Sequence, residues 1–192
     1  MGSVPHIEVA AHAGVCYGVE RALDLANRAA NEAEGQPVHT LGPLIHNPLV
    51  VRELEDRGVA MADALEDAAS GTLVIRAHGV VPRVVDDARR RGLTVLDATC
   101  PYVKKVHHAA ERLTREGYQV IVVGEPGHPE VEGIMGHAGE GARVISSPGD
   151  LDGVELARKV GVVVQTTQTA AALAGVVDAL LPRVGELRVV NT

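Results

Sequence analysis

The sequence predicts an α/β protein whose mostly parallel sheets are covered by helices on both faces. Two observations carry that reading. Short, almost wholly apolar runs alternate with amphipathic segments of helical period, and runs of that kind are strands buried on both sides. The second is a repeat: the unit of apolar strand, cysteine and amphipathic helix occurs at Cys16 and returns 84 residues later at Cys100.

Taken in order, residues 7–10 read as a first strand, followed by Ala13-Gly14-Val15-Cys16-Tyr17-Gly18. A helix over 19–34 gathers Val19, Ala22, Leu23, Ala26 and Ala30 on one face and stops at Gly35. Residues 37–41 form a short strand ending in Gly42-Pro43-Leu44-Ile45-His46-Asn47-Pro48, and a helix over 49–57 ends at Gly58. Strand 72–75 leads into Ala77-His78-Gly79-Val80, with a helix after Pro82, and strand 93–96 reaches Cys100. The second half repeats the rhythm. Residues 118–123, 142–145, 160–164 and 187–190 are strands, with the clearest helix over 170–181 and a loop carrying Gly127-His128-Pro129-Glu130-Val131-Glu132-Gly133.

The stretch from Asp97 to Val106 organises the rest. Pro101 suits the first helical position, and Val103, Val106, Ala110 and Leu113 recur at helical spacing behind it. Cys100 therefore stands at a strand-to-helix junction, beside unpaired N–H groups and the positive end of a helix dipole, where a sulfur anion is favoured. Such a group is either a nucleophile or a metal ligand.

Composition narrows the classes. The chain has 192 residues, 46% hydrophobic and 22% charged, enough for one large or two small cores. A formal charge of −7 argues against a general nucleic-acid surface, and with no Trp, no Phe and 3 Tyr there is little for bases to stack on. No apolar run approaches the roughly 20 residues of a membrane span, and the N-terminus lacks the regions of a secretory signal. Two cysteines are no disulfide framework, so the expectation is a soluble cytoplasmic protein.

In open α/β sheets the carboxyl ends of the strands form the ligand crevice, which brings Cys16, His46, His78, Cys100, His128 and Glu130 to one side. Two cysteines in equivalent positions fit shared ligation of a cluster better than a lone nucleophile. Zinc held by the same thiols and histidines, as in a mononuclear hydrolase, is the alternative, and buried inert thiols are the plain one. His46, His78 and His128 each follow an apolar strand in a turn. They are structural, or together they bind an anion such as phosphate through imidazole N–H groups and helix N-termini. His107 and His108 fall on the mainly polar side of their helix and read as solvated. Glu130 either donates a proton beside that pocket or simply opens a helix. Thr166, Thr167 and Thr169 either donate to a substrate or cap the next helix.

Six motifs occur in order: Gly14-Val15-Cys16-Tyr17-Gly18-Val19-Glu20-Arg21-Ala22, His46-Asn47, Ala77-His78-Gly79-Val80, Asp97-Ala98-Thr99-Cys100-Pro101, Gly127-His128-Pro129-Glu130-Val131-Glu132-Gly133 and Gln165-Thr166-Thr167. Together they resemble the 4-hydroxy-3-methylbut-2-enyl diphosphate reductase (LytB/IspH) family over essentially the whole chain. The resemblance implies a trefoil of three-layer α/β/α units around a 4Fe-4S cluster, each unit giving one cysteine. Residues 1–100 would be the first unit, with Cys16, and 101–192 the second, opened by Cys100. It implies that His46, His78 and His128 hold an allylic diphosphate and that Thr166 and Thr167 lie near it. Glu130 would protonate the leaving hydroxyl, and a ferredoxin or flavodoxin would supply two electrons for reductive dehydroxylation to isopentenyl and dimethylallyl diphosphate.

Two departures stand against the pattern. Val15 occupies a position where the family has an aromatic residue. A third cysteine, due about 84 residues past Cys100, is missing from this sequence. The expectation is two thirds of the trefoil, truncated before the third domain, with little reductase activity and an exposed apolar face that drives self-association. A non-catalytic remnant that binds diphosphate or a partner protein is the competing class.

Overall fold

A computed structural model describes residues 8–11 and 13–191. Its elements are α1 (Tyr17–Asn31), β1 (Val38–Leu41), α2 (Pro48–Asp56), β2 (Val59–Ala62), β3 (Thr72–Ile75), α3 (Pro82–Arg90), β4 (Thr94–Asp97) and α4 (Pro101–Arg115). The second half adds β5 (Gln119–Val123), α5 (Pro129–Ala138), β6 (Arg143–Ile145), β7 (Lys159–Val164), α6 (Ala170–Leu180) and β8 (Glu186–Val190).

The strands make two four-stranded sheets, ordered β2-β1-β3-β4 and β6-β5-β7-β8, and every pairing is parallel. The orders are the same arrangement used twice, each preceded by a helix whose N-cap is a cysteine, Cys16 or Cys100. The strand–cysteine–helix repeat in the sequence is therefore a repeat of topology.

Burial explains why the strands are apolar throughout. In the first sheet Val38 and Val74 pack with Ala22, Ala26 and Ala29 of α1 on one face, while Leu73 and Ile75 pack with Ala88 of α3 on the other. In the second, Val120 and Val122 meet Val106, Ala110 and Leu113 of α4 and Ile134 of α5, and Ile121 and Val123 meet Leu173, Val176 and Leu180 of α6. Successive strand residues point to opposite faces, so both parities must be apolar. Each large aliphatic side chain fully buried this way contributes about 1.5–3 kcal/mol.

The structure departs from the sequence reading in three places. The first strand does not form: Ile7 lies outside the described residues, residues 8–10 are irregular, and Val9 is 85% exposed. No described strand pairs with that segment, and four apolar-leaning residues are no strand without a ladder partner. Val59–Ala62, given no element in the sequence reading, is the edge strand of the first sheet. His107 is buried, at 6% exposure, because α4 is covered by α5 on its supposedly polar side.

Candidate functional site

The two cysteines come first. Cys16 is exposed and Cys100 partly so, and both are free. Neither side chain caps its own helix; the backbone carbonyls of Cys16 and Cys100 accept Glu20 N at 3.0 Å and Lys104 N at 2.9 Å. The starts of α1 and α4 lie against each other. A Cβ placed on Gly18, two residues past Cys16, would stand 2.5 Å from Cys100 Sγ, so only a residue without a side chain lets α1 approach that sulfur. Arg21 ties the same two segments, donating to the carbonyls of Thr99 and Asp97, each at 3.2 Å. Asp97 in turn accepts Thr99 N at 2.9 Å and pairs with Lys104 at 2.6 Å; these partners hold its carboxyl below the usual range although burial opposes them. Among the described residues, no group of three or more His, Cys, Asp or Glu is placed to hold a metal ion.

The three strand-end histidines do meet. Ring centroids lie 4.4 Å apart for His46 and His78, 5.6 Å for His78 and His128, and 5.9 Å for His46 and His128. Each is delivered by local chain geometry. His46 precedes α2, where Asn47 accepts Leu49 N at 3.0 Å as N-cap. His78 sits in a turn closed by Gly79 N donating to Arg76 O at 3.0 Å, with Gly79 at φ +75°. His128 is the N-cap of α5, and its Nδ1 accepts Glu130 N at 3.1 Å. With Nδ1 an acceptor, a neutral His128 carries its proton on Nε2. The first two turns are stitched together by Ala77 N donating to Leu44 O at 3.1 Å. Burial, then the neighbouring His46, Arg76 and His128, push His78 down to about 4, and its buried Nδ1 has no hydrogen-bond partner. Orphaned polar atoms of this kind mark places where a ligand or water belongs.

Glu130 lies beside His128 at 2% exposure. Its Oε1 accepts Thr166 N at 2.7 Å and its Oε2 accepts the Thr166 hydroxyl at 2.9 Å, so both carboxyl oxygens are bound by one exposed residue of the turn after β7. Thr167 is exposed in the same turn. Thr169 is the cap: its hydroxyl accepts Ala172 N at 3.1 Å at the start of α6. Of the residues singled out from the sequence, the structure gathers His46, His78 and His128, and joins Glu130 to Thr166. Cys16 and Cys100 share the neighbouring helix starts.

Several residues to which the sequence reading gave no role in the site hold this arrangement. Gln165, 1% exposed, accepts Glu125 N at 2.9 Å and so fixes the loop that leads to His128. His107 stacks on His137 at 4.4 Å and 22°, and its ring fills the space left by Gly79 and Gly133. Burial and the nearby His137 push His107 down to about 4. Their signal was the glycines, where a bulky neighbour replaces a missing side chain.

The LytB protein family model matches residues 7–192. The 4-hydroxy-3-methylbut-2-enyl diphosphate reductase of Geobacter sulfurreducens is 47% identical over 186 residues, covering 97% of this chain and 65% of that protein. Its counterparts in Citrifermentans bemidjiense (46% over 185 residues, 96% and 65%) and Aquifex aeolicus (44% over 190 residues, 97% and 65%) are equally similar. The chain thus spans 65% of the length of these relatives. A solved structure of (E)-4-hydroxy-3-methyl-but-2-enyl diphosphate reductase, the terminal enzyme of the non-mevalonate pathway, matches with TM-score 0.85 and 42% identity over 96% of this chain and 66% of that one. The corresponding reductase from Plasmodium falciparum matches with TM-score 0.86 and 28% identity, over 92% and 56%.

Proposed function

This chain belongs to the LytB family, and from that premise we propose that it binds 4-hydroxy-3-methylbut-2-enyl diphosphate and takes part in its reductive dehydroxylation to isopentenyl and dimethylallyl diphosphate. The observation that carries the reading is the convergence of His46, His78 and His128 within 5.9 Å of one another, beside the Glu130–Thr166 pair. The names of the relatives support the substrate and product.

In this reading the imidazoles take the diphosphate. His128 presents Nε2–H while its Nδ1 is occupied, and His78 offers an uncharged ring. The net change is R–OH + 2 H⁺ + 2 e⁻ → R–H + H₂O at the allylic carbon. One proton leaves with the hydroxyl as water and the other goes to carbon. Glu130 is buried and Thr166 is exposed, so a proton taken up at Oε2 passes to substrate when the Thr166 hydroxyl turns from donating to Oε2 to accepting from it and gives its own proton outward. Cys16 and Cys100 suit a 4Fe-4S cluster: two free thiols at adjoining helix starts, with Gly18 clearing the approach to Cys100 Sγ. Such a cluster supplies electron transfer and a Lewis-acidic iron, which no side chain offers. The electron source is an external ferredoxin or flavodoxin, and the free thiols agree with a reducing, cytoplasmic setting. Among the described residues no helix is long and apolar enough to cross a membrane. We assign residues 1–100 and 101–192 to two equivalent units, an assignment supported by α4 packing on β5 and β7 rather than on the first sheet.

Anaerobic reconstitution with iron and sulfide, followed by turnover with a chemical reductant, tests the reading: substrate consumption with release of both products supports it and overturns the sequence expectation of little activity. A second reading, diphosphate binding without turnover, needs only the imidazole cluster, which is assembled without any contribution from Cys16 or Cys100. Substrate-dependent shifts of the three imidazoles in a chain that stays inactive would select it.

A further inference from the structure

Arg76 ends the run of β3 and begins the turn that carries His78. Its carbonyl accepts Gly79 N at 3.0 Å, and its side-chain Nε reaches back to the Gly79 carbonyl at 3.4 Å. The guanidinium is therefore folded along the turn whose third residue is His78. From the other side it is closed in by Gly42, at φ +68°, where a Cβ would stand 2.9 Å from Nη1. Gly42 opens the segment that runs on to His46. Across a cleft of about 380 Å³ the carboxylate that acts on it is Glu132, in the first turn of the helix that His128 caps; Asp63, Glu66 and Asp87 line the same cleft, Glu66 paired with Arg91 and Asp87 with Arg83 and Arg90. One half-buried guanidinium thus touches or faces all three segments that deliver the imidazoles.

We infer that Arg76 is a positioning residue and the fixed cation of the anion site: from behind the turn it holds His78 toward His46 and His128, and it supplies the permanent charge that imidazoles lack. The inference rests on the diphosphate reading above. A guanidinium stays protonated wherever it is placed, whereas an imidazole crowded by two others and by a cation does not. The N–H groups of the rings give direction to an anion; the charge behind them gives long-range attraction in a site partly closed to water. Arg76 is engaged with Gly79 and Gly42, so it acts on a bound anion through His78 and through its field.

Inorganic pyrophosphate is the probe, followed on the full chain by the Cε1–H signals of the histidines. Arg76→Gln is expected to weaken pyrophosphate binding about tenfold and to make it less dependent on salt. It should also raise the titration midpoint of His78 from about 4 toward the ordinary imidazole range. Arg76→Lys, which keeps the charge and loses the fork, should restore both within a few-fold; a role in turn geometry alone would fail with Lys as with Gln. If Arg76→Gln unfolds the chain, Arg76→Lys decides: retention of affinity supports the assignment and a tenfold loss overturns it. Equal binding by Arg76→Gln and the parent overturns the Arg76 assignment alone. Failure of the parent chain itself to bind pyrophosphate overturns the anion-site reading and this inference together.

Discussion

Gly18→Ala is the substitution in which the structure and ordinary helix propensity point in opposite directions. Gly18 is buried at the second position of α1, and Ala is the better helix former there by up to about 1 kcal/mol. The added methyl would stand 2.5 Å from Cys100 Sγ and 3.2 Å from its Cβ, where 3.4–4 Å is ordinary contact. The starts of α1 and α4 must then separate by about 1 Å, and overpacking of this kind costs about 1–3 kcal/mol. Arg21 resists the separation through its bonds to Thr99 O and Asp97 O. The net expectation is a loss of about 1–2 kcal/mol, which for a chain of this size lowers Tm by roughly 2–8 °C. Gly175→Ala in α6 is the control: its Cβ would lie 3.4 Å from Pro148 Cγ, so the helix-propensity gain survives and Tm holds or rises. Thermal melts by circular dichroism compare the two. Thiol titration and iron uptake during anaerobic reconstitution should show Cys100 altered only in Gly18→Ala. A Gly18→Ala chain that melts at or above the parent, with unchanged thiol reactivity and iron uptake, would refute the account of the helix starts.

Other expectations follow from the same geometry. Glu130→Gln keeps the shape but turns one acceptor toward Thr166 into a donor. It should cost about 1–3 kcal/mol in urea denaturation, and turnover should fall about 10²–10⁴-fold in a reconstituted assay. His78 and His107 stay uncharged in the fold down to about 4, while in the unfolded chain they take up protons from about 6.5 downward. Their contribution is therefore complete above pH 6.5 and is lost as pH falls toward 4; His107→Leu should flatten that slope by on the order of 2–3 kcal/mol in urea midpoints taken across the range. Gly79→Ala meets a φ of +75° and His107 Cε1 at 2.7 Å, so a loss of about 2–4 kcal/mol is expected, read by thermal melts, together with a shifted His78 signal.

Much of the site was legible because parallel sheets put the ends of their strands on one side. His46, His78 and His128 could be read as equivalent from the apolar run and turn residues before each, and they do converge. The repeat around Cys16 and Cys100 was visible as spacing and returned as strand order. What escaped the sequence was whatever depends on a second element arriving from far along the chain. Val59–Ala62 carries two alanines and a methionine, no strand signal, and is a strand because β1 offers it a ladder. His107 looked solvated because helical periodicity knows one face, and α5 covers the other. Thr166 and Thr169 are alike in sequence; only the position of Glu130 makes one a carboxyl partner and leaves the other a cap.

The glycines opposite His107 and Val81 have a mechanical consequence. At Gly133 and Gly136 helix α5 closes on the turn after β3: a methyl at Gly136 would fall 2.5 Å from Val81 Cγ1 and 3.1 Å from its Cα, and one at Gly133 would fall 3.6 Å from the His78 carbonyl oxygen, while Gly79 gives its space to the His107 ring. Backbone against backbone is a hard stop, insensitive to which aliphatic rotamers fill the sheets behind it. Trimming Ile121 or Leu73 in those interiors would soften the halves while the gauge between His78 and His128 stays set, so fit at the mouth and durability of the scaffold vary independently.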